Sequence, residues 1–165
     1  MAHLPFPDAS FDAVVIVFGI FFAPDMAAQI EALARRVRPG GVLAVTTWGP
    51  RLFEPLYTPF LDAVRTRRPG IEEEYRPWDR LATAENVAAL MREAGLAHFE
   101  VTAEAGREPL EHPGDWWTVV LGTGLRWFVD QLDPASAETL RTECLLGARD
   151  VQSIETNVVY TVAHL

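Results

Sequence analysis

The sequence predicts an α/β fold with a mostly parallel sheet, a closing antiparallel pair of strands and an inserted pair of helices. Two observations lead to this prediction. An apolar run at Val14–Phe18, a helical pattern and a β-rich run at Val42–Trp48 arrive within about 35 residues, the size of a right-handed βαβ crossover. Toward the carboxyl terminus, alternating patterns at Phe99–Ala103 and Ile154–Ala163 predict two further strands.

The first strand follows the turn-rich residues Pro7–Ser10 and is rich in valine. Such a continuous apolar run is typical of a strand that is buried on both faces of a parallel sheet. Asp25 then predicts the cap of a helix, and Pro39-Gly40-Gly41 predicts its end. The apolar positions of this helix are Met26, Ile30, Leu33, Ala34 and Val37.

The middle of the chain is less regular. Phe53–Arg67 predicts a helix broken by Pro55 and Pro59, and residues 68–80 predict a surface excursion rich in Pro, Gly and Glu. A clear helical stripe follows, and Gly95 supplies its left-handed stop. The stripe consists of Val87, Leu90, Met91 and Ala94.

The last third of the chain predicts two helices before the final strand. They are Asp115–Leu132 and Asp133–Arg149, and both begin with an aspartate. We therefore expect a single, partial domain over residues 1–165, in which residues 107–150 form a helical insert or lid.

Composition excludes several classes of partner. The chain has 165 residues, 49% of them hydrophobic, which suits one globular domain. Its formal charge of −9 disfavours nucleic acid and anionic membrane surfaces as binding partners.

The longest apolar run, Phe11–Phe22, is shorter than the ~20 residues of a membrane span. No basic segment precedes it. We therefore expect neither a membrane anchor nor a signal peptide. Cys144 is the only cysteine, which excludes an internal disulfide and predicts a cytoplasmic protein.

Three stretches, in this order, carry a family resemblance. They are Leu4–Asp12 (LPFPDASFD), Phe18-Gly19 at the end of the apolar strand, and Arg36–Leu43 (RVRPGGVL) leading to Trp48. Together they resemble the class I S-adenosylmethionine-dependent methyltransferases, and most closely the methyltransferase type 11 group that includes the ubiquinone and menaquinone biosynthesis methyltransferases. The resemblance covers the chain apart from residues 50–80 and 107–150.

The resemblance implies the carboxyl-terminal half of a Rossmann-like sheet. In the family, three earlier strands carry a glycine-rich loop and two acidic residues that hold the cofactor. Phe11–Phe18 would be the fourth strand and Val42–Trp48 the fifth, with the strands near Phe99 and Val158 as the closing antiparallel pair. Each missing βα unit takes on the order of 30 residues, so we expect roughly 80 to 100 residues to be missing. The site for S-adenosylmethionine is then expected to be incomplete in this chain.

A valine-rich strand with one unpaired edge would recruit another strand. Three explanations stay open. Two copies join their half-sheets as a homodimer, a separately encoded amino-terminal half completes the sheet, or the recorded start is incorrect and the intact protein is longer.

The resemblance also implies cofactor-binding residues. In the family, the backbone after the third strand lies beside the adenine, which corresponds here to Ala2 and His3. The turn after the fourth strand packs under the methionine part of the cofactor, which corresponds to Phe18 and Gly19. The alternatives are a disordered terminal residue for His3 and an ordinary turn glycine for Gly19.

Catalytic residues are less clearly indicated, because methyl transfer from a sulfonium needs positioning more than a dedicated base. For an acceptor that must lose a proton, His112 and Asp115 are the candidates, and a surface histidine with a helix-capping aspartate is the structural alternative. No metal site is predicted, since the four histidines show no ligand spacing with one another or with carboxylates.

The helical segment around Trp116-Trp117 is apolar on more than one face. It would cover a pocket for a flat or greasy small molecule, as such inserts do in this family, or form a dimer interface. The predicted function is therefore an S-adenosylmethionine-dependent methyltransferase acting on a small-molecule acceptor. The alternative is a truncated or degenerate non-catalytic domain that self-associates or pairs with a partner.

Overall fold

The computed structural model describes residues 5–71 and 77–165. The chain divides into two compact units, the first formed by Met1–Pro50, Pro77–Ala105 and Asn157–Leu165 and the second by Arg51–Arg76 and Gly106–Thr156. In chain order the strands and helices are β1 (Phe11–Val17), α1 (Met26–Ala34), β2 (Val37–Trp48), α2 (Tyr57–Arg67), α3 (Ala84–Glu93), β3 (Phe99–Glu104), β4 (Arg107–Pro109), α4 (Pro113–Gly122), α5 (Arg126–Asp130), α6 (Pro134–Gly147), β5 (Ser153–Glu155) and β6 (Val158–His164).

The first unit contains a four-stranded sheet with the order β1-β2-β6-β3. β1 and β2 are parallel, and β6 runs antiparallel to both β2 and β3. The predicted α/β fold, with a parallel βαβ crossover and a closing antiparallel pair, is confirmed. This sheet is mixed, as in Rossmann-like folds that end in an antiparallel strand.

Helix α1 begins where the sequence predicts and ends earlier. The Asp25 side chain accepts a hydrogen bond from the backbone N–H of Ala28 at 2.9 Å, which confirms the cap. The helix ends at Ala34, however, and Val37 already belongs to β2, where it pairs with Phe11. The predicted extension to Val37 is wrong because pairing with β1 takes that residue into the sheet.

The Pro39-Gly40-Gly41 segment lies within β2 instead of separating a helix from a strand. The register between β1 and β2 shifts between Phe11 and Ala13, so the backbones approach closely at this point. A Cβ atom added at Gly41 would lie 2.5 Å from the carbonyl oxygen of Asp12. Only glycine fits at this position, because any side chain would collide with the backbone of Asp12.

Helix α3 confirms its sequence signals. The Thr83 side chain caps its start by accepting from the Asn86 N–H, and Gly95 ends it with a φ of +80°. The N–H of Leu96 then donates to the carbonyl oxygen of Met91 at 3.0 Å, which completes the predicted stop. The apolar stripe of this helix is buried.

Helices α1 and α3 contact each other and lie against one face of the sheet, α1 on β2 and α3 on β3 and β6. The opposite face carries two rows of neighbouring side chains that reach across three strands. We call this surface the bare face, and its residues are Val15, Ala44 and Val162 in one row and Val17, Thr46 and Tyr160 in the other.

The bare face is apolar and exposed. Val15 and Val17 are 63% and 62% exposed, and Tyr160 and Val162 are 40% and 37% exposed. The prediction that the first strand is buried on both faces is therefore wrong. Both helices of the unit lie on the face that buries Ile16, which leaves alternate residues of β1 uncovered.

β1 is also the edge strand of its sheet among the described residues. The Phe18 N–H donates to the carbonyl oxygen of Thr46 on the β2 side. Because backbone groups alternate between the two sides of a strand, the N–H and C=O groups of Ala13, Val15 and Val17 point to the open edge. The expectation of an unpaired valine-rich edge agrees with this part of the structure.

The second unit is mainly helical. Helix α6 contacts α2 and α4, α4 contacts α5, and the short strands β4 and β5 pair antiparallel. The predicted break at Pro59 is wrong, since this proline is the third residue of α2, where its missing N–H would have no intrahelical partner.

Two further predicted boundaries are corrected. Asp115–Leu132 is not one helix, because Thr123 is extended and separates α4 from α5. Ile154–Ala163 is not one strand, because its beginning pairs with β4 and the remainder joins the four-stranded sheet as β6.

The predicted surface excursion at residues 68–80 is confirmed only in part, since Pro69, Gly70 and Arg80 are exposed. Ile71 is fully buried and Trp78 is 6% exposed. Residues 72–76 lie outside the described part of the chain.

Within residues 5–71 and 77–165, every helix falls short of the length and apolar character needed to cross a bilayer.

A matched pair of substitutions tests the bare face. Val45→Ala removes methyl groups from a side chain that is 2% exposed and should lower the free energy of unfolding by about 2 kcal/mol or more. Val15→Ala, in the adjacent strand, should cost less than about 1 kcal/mol because the side chain is already solvated. Urea unfolding of both variants measures the difference, and equal losses would contradict the exposure of Val15.

Candidate functional site

The candidate site lies at the carboxyl ends of β1 and β2. These ends are adjacent because the two strands are parallel, with Val17 opposite Thr46 in the ladder. Phe18 directly follows β1, and Trp48 is the last residue of β2. In open sheets with parallel strands, ligands bind in the crevice beyond the carboxyl ends.

Phe18 and Trp48 form a stacked aromatic pair. Their ring centroids are 3.9 Å apart and their planes are 15° from parallel. Phe18 has a φ of +47°, a left-handed conformation that is uncommon for a residue with a bulky side chain. Its N–H nevertheless stays bonded to the Thr46 carbonyl. The local backbone strain is offset by a hydrogen bond and a ring contact, as is common at binding sites.

Gly19 begins a short 3-10 turn, Ile20–Phe22. Its φ is −132°, which any residue adopts, and an added Cβ would meet the Val17 carbonyl oxygen at 3.6 Å and Ile16 Cγ2 at 3.7 Å. Both are ordinary contacts, so the described residues do not require glycine at this position. Its cofactor-binding role remains a prediction, as does that of Phe18.

The other two predicted cofactor residues, Ala2 and His3, lie outside the described residues.

The predicted catalytic pair lies in the second unit, at the start of α4. His112 is the residue before the helix, and the Asp115 carboxylate accepts the backbone N–H groups of Glu111 and His112, both at 2.8 Å. These bonds satisfy the helix end, so capping alone accounts for an aspartate at this spacing. A catalytic role for either residue remains a prediction.

Trp48 is the site residue that the sequence analysis did not select. The available signal was its position at the end of the second predicted parallel strand. The turn that follows is tightly constrained, because a Cβ added at Gly49 would lie 2.8 Å from the Cβ of Asn157. The Asn157 amide also donates to the Pro50 carbonyl oxygen at 2.8 Å. These contacts fix where β2 ends.

Three described residues of the second unit have shifted pKa values. A hydrogen bond and charge attraction from Glu155 raise the pKa of Arg51, and hydrogen bonds from Ser136 lower the pKa of Asp133 at the start of α6. Burial raises the pKa of the Cys144 thiol to about 11, which keeps it protonated and neutral at physiological pH.

Part of the chain is similar in sequence to known methyltransferases. Residues 1–45 match a family model described as a methyltransferase domain. A demethylmenaquinone methyltransferase of Beutenbergia cavernae is 39% identical over 56% of this chain and 43% of its own length. An uncharacterized protein of Mycobacterium tuberculosis is 37% identical over 48% of this chain and 29% of its own length. The chain thus spans less than half the length of these relatives.

Solved structures share the fold. A candidate methyltransferase of Bacillus halodurans aligns with a TM-score of 0.56 and 17% identity, over 98% of this chain and 73% of that one. A candidate methyltransferase from an antibiotic biosynthesis pathway of Anabaena variabilis aligns with a TM-score of 0.57 and 15% identity, over 99% and 70%. At these identities the alignments show the fold alone.

The stacked pair can be tested by a double-mutant cycle. The combined effect of Phe18→Leu and Trp48→Leu on the free energy of unfolding should differ from the sum of the single effects by about 0.5–1.5 kcal/mol. The reason is that either substitution removes the aromatic surface against which the other ring packs. The control cycle uses Phe18→Leu with Phe99→Leu, at the far edge of the same sheet, and should be additive. Coupling of equal size in both cycles would argue against a specific ring contact.

The Cys144 thiol predicts a pH dependence. The folded pKa of about 11 exceeds the ordinary value of 9.0, so the folded state holds the proton more tightly. Its contribution to stability is complete below about pH 9 and is lost as the pH rises through 11. Unfolding midpoints across this range should fall more steeply for the natural chain than for Cys144→Ala. Parallel curves would rule the thiol out as the cause.

Proposed function

We propose that this chain is part of a class I S-adenosylmethionine-dependent methyltransferase that acts on a small molecule. The observation that carries the proposal is the Phe18–Trp48 pair at the carboxyl ends of two parallel strands. The strands belong to a chain whose first 45 residues match a methyltransferase domain.

The residues present suit a sulfonium cofactor. Aromatic faces attract cations through their ring quadrupole, and the stacked pair supplies two aromatic rings at this place. We propose that Phe18 and Trp48 line the cofactor site, with the Gly19 backbone beside them. When bound, S-adenosylmethionine supplies a methyl group that is already activated by its positive sulfur. The role of these residues is to orient it and exclude water.

We further propose that the cofactor site is completed by strands added at the open edge of β1. The outward backbone groups of Ala13, Val15 and Val17 are ready for strand pairing. The bare face beside them is unusual for a parallel pair, which is normally covered on both sides. The three candidate sources of these strands are an earlier part of a longer intact chain, a separately encoded amino-terminal half and a second copy of this chain.

The methyl acceptor is proposed to be a small molecule, with support from the Beutenbergia relative, which is named a demethylmenaquinone methyltransferase. For an acceptor that must lose a proton, His112 and Asp115 stay the predicted candidates, and the two backbone N–H groups that Asp115 accepts are explained by capping of the helix.

A second candidate function is a non-catalytic domain that binds a protein partner. The observation that favours it is the bare face, because exposed apolar surfaces of this kind mark interaction sites. It differs from the first candidate in expecting no cofactor binding when the sheet is completed.

Titration calorimetry with S-adenosylhomocysteine separates the two functions. The chain alone should show no saturable binding at micromolar concentrations. The chain produced together with the part of the Beutenbergia relative that it does not match should bind, and Trp48→Leu should weaken that binding about tenfold. Phe99→Leu, on the far edge strand, is the matched control and should bind normally.

Each outcome of this titration has a distinct meaning. Micromolar binding by the chain alone would contradict an incomplete site while supporting the methyltransferase. An assembled complex that binds no cofactor would favour the non-catalytic domain.

A further inference from the structure

The bare face has a shape that suits an α-helix. Its middle strand, β2, contributes the small, half-buried side chains of Ala44 and Thr46. Larger side chains of β1 and β6 flank them and are exposed. These flanks stand about 10 Å apart, because neighbouring strands are about 4.8 Å apart, and an α-helix with its side chains is about 10 Å wide. The bare face is therefore a shallow trough along β2, of the width of one helix.

Two carboxylates run along one side of this trough. Strand β3 lies next to β6, and Glu100 and Glu104 are exposed on the same face of the sheet, opposite Val162 and Val158. We call this glutamate pair the acidic rim. Its two members are about 13 Å apart along the strand. Their cross-strand neighbours are both valine, so those neighbours supply no positive charge to the rim.

The acidic rim selects among possible occupants of the trough. An anionic bilayer would be repelled by the rim and by the formal charge of −9. A second copy would bring the same glutamates and the same net charge to an isologous contact. Lysine and arginine suit the rim better, because their apolar stems lie across a hydrophobic wall while the charged ends reach the carboxylates. The rim thus favours a positively charged occupant.

We propose that the bare face is the docking site of a basic amphipathic helix from a partner polypeptide. Apolar side chains of that helix, at i, i+3, i+4 and i+7, fill the trough. Lysine or arginine residues about seven or eight positions apart on one flank are separated by about 11–12 Å and match the acidic rim. The inference rests on the proposed function in one respect, namely that the bare face is covered in the working protein.

The probe is a peptide of about 15 leucine and lysine residues, with leucines on one helix face and lysines along its flanks. It should bind saturably, with a dissociation constant of the order of 100 micromolar or tighter. It should shift the methyl resonances of Val15, Val17 and Val162 and leave those of Val64, in α2, in place. The same peptide with glutamate in place of lysine should bind at least about tenfold more weakly, because the rim repels it.

A matched pair of charge reversals locates the electrostatic contribution. Glu100→Lys with Glu104→Lys should weaken binding of the lysine peptide about tenfold and strengthen binding of the glutamate peptide. The control is Glu85→Lys with Glu93→Lys, two exposed residues of α3, which lies on the opposite face of the sheet. This control changes the net charge equally and should alter binding of either peptide by less than about twofold.

The proposal is overturned if the lysine peptide does not bind saturably, if both double variants weaken it equally, or if the shifted methyl groups lie away from the bare face. If the rim variant fails to fold, Glu100→Gln with Glu104→Gln keeps the side-chain shape and decides the same question. Unchanged binding by that variant would also overturn the proposal.

A second copy as the occupant gives a different result. The chain alone would then sediment as a dimer, and Val15→Thr with Val17→Thr would convert it to a monomer, which would overturn the proposal. We expect the natural chain to bind the lysine peptide as a monomer. Because no cofactor takes part in these measurements, their failure is distinguishable from failure of the titration with S-adenosylhomocysteine.

Discussion

The parallel pairing of β1 with β2 is the constraint on which the first unit depends. It brings the ends of the two strands together and so places Phe18 against Trp48. The register shift at the start of β1 is possible because Gly41 lacks a side chain where the backbone of Asp12 approaches it. Ion pairs from Arg36 to Asp8 and from Arg38 to Asp12 join the two segments at the same end. These pairs are at the surface and act on register more than on stability.

The same pairing leaves the sheet unsymmetrical. One face is covered by α1 and α3, whereas the bare face and the outward backbone groups of β1 are left to solvent among the described residues. Parallel strands are ordinarily covered on both faces, because the crossover helices that link them lie there. The comparisons match residues 1–45 to a methyltransferase domain, and the activity of the whole protein is a proposal built on that match.

The second unit has a different physical basis. Its core is aromatic, with Phe60 in edge-to-face contact with both Trp116 and Phe128. A small cavity lies beside these rings.

The sequence alone determined the elements whose signals are local. The Asp25 and Thr83 caps, the Gly95 stop and the valine-rich strand all arise from short-range hydrogen bonding, glycine φ angles and side-chain branching. The turn residue Phe18 was selected through the family resemblance, and the structure places it at the end of β1.

Only the tertiary structure decided the features that depend on distant partners. The transfer of Val37 from helix to strand requires its pairing with β1, and the exposure of Val15 depends on where both helices lie. The choice of Trp48 as the ring beside Phe18 likewise depends on the register of two strands. A sequence pattern specifies that a side chain is apolar, but burial is a property of what packs against it, and that is set by contacts far apart in the chain.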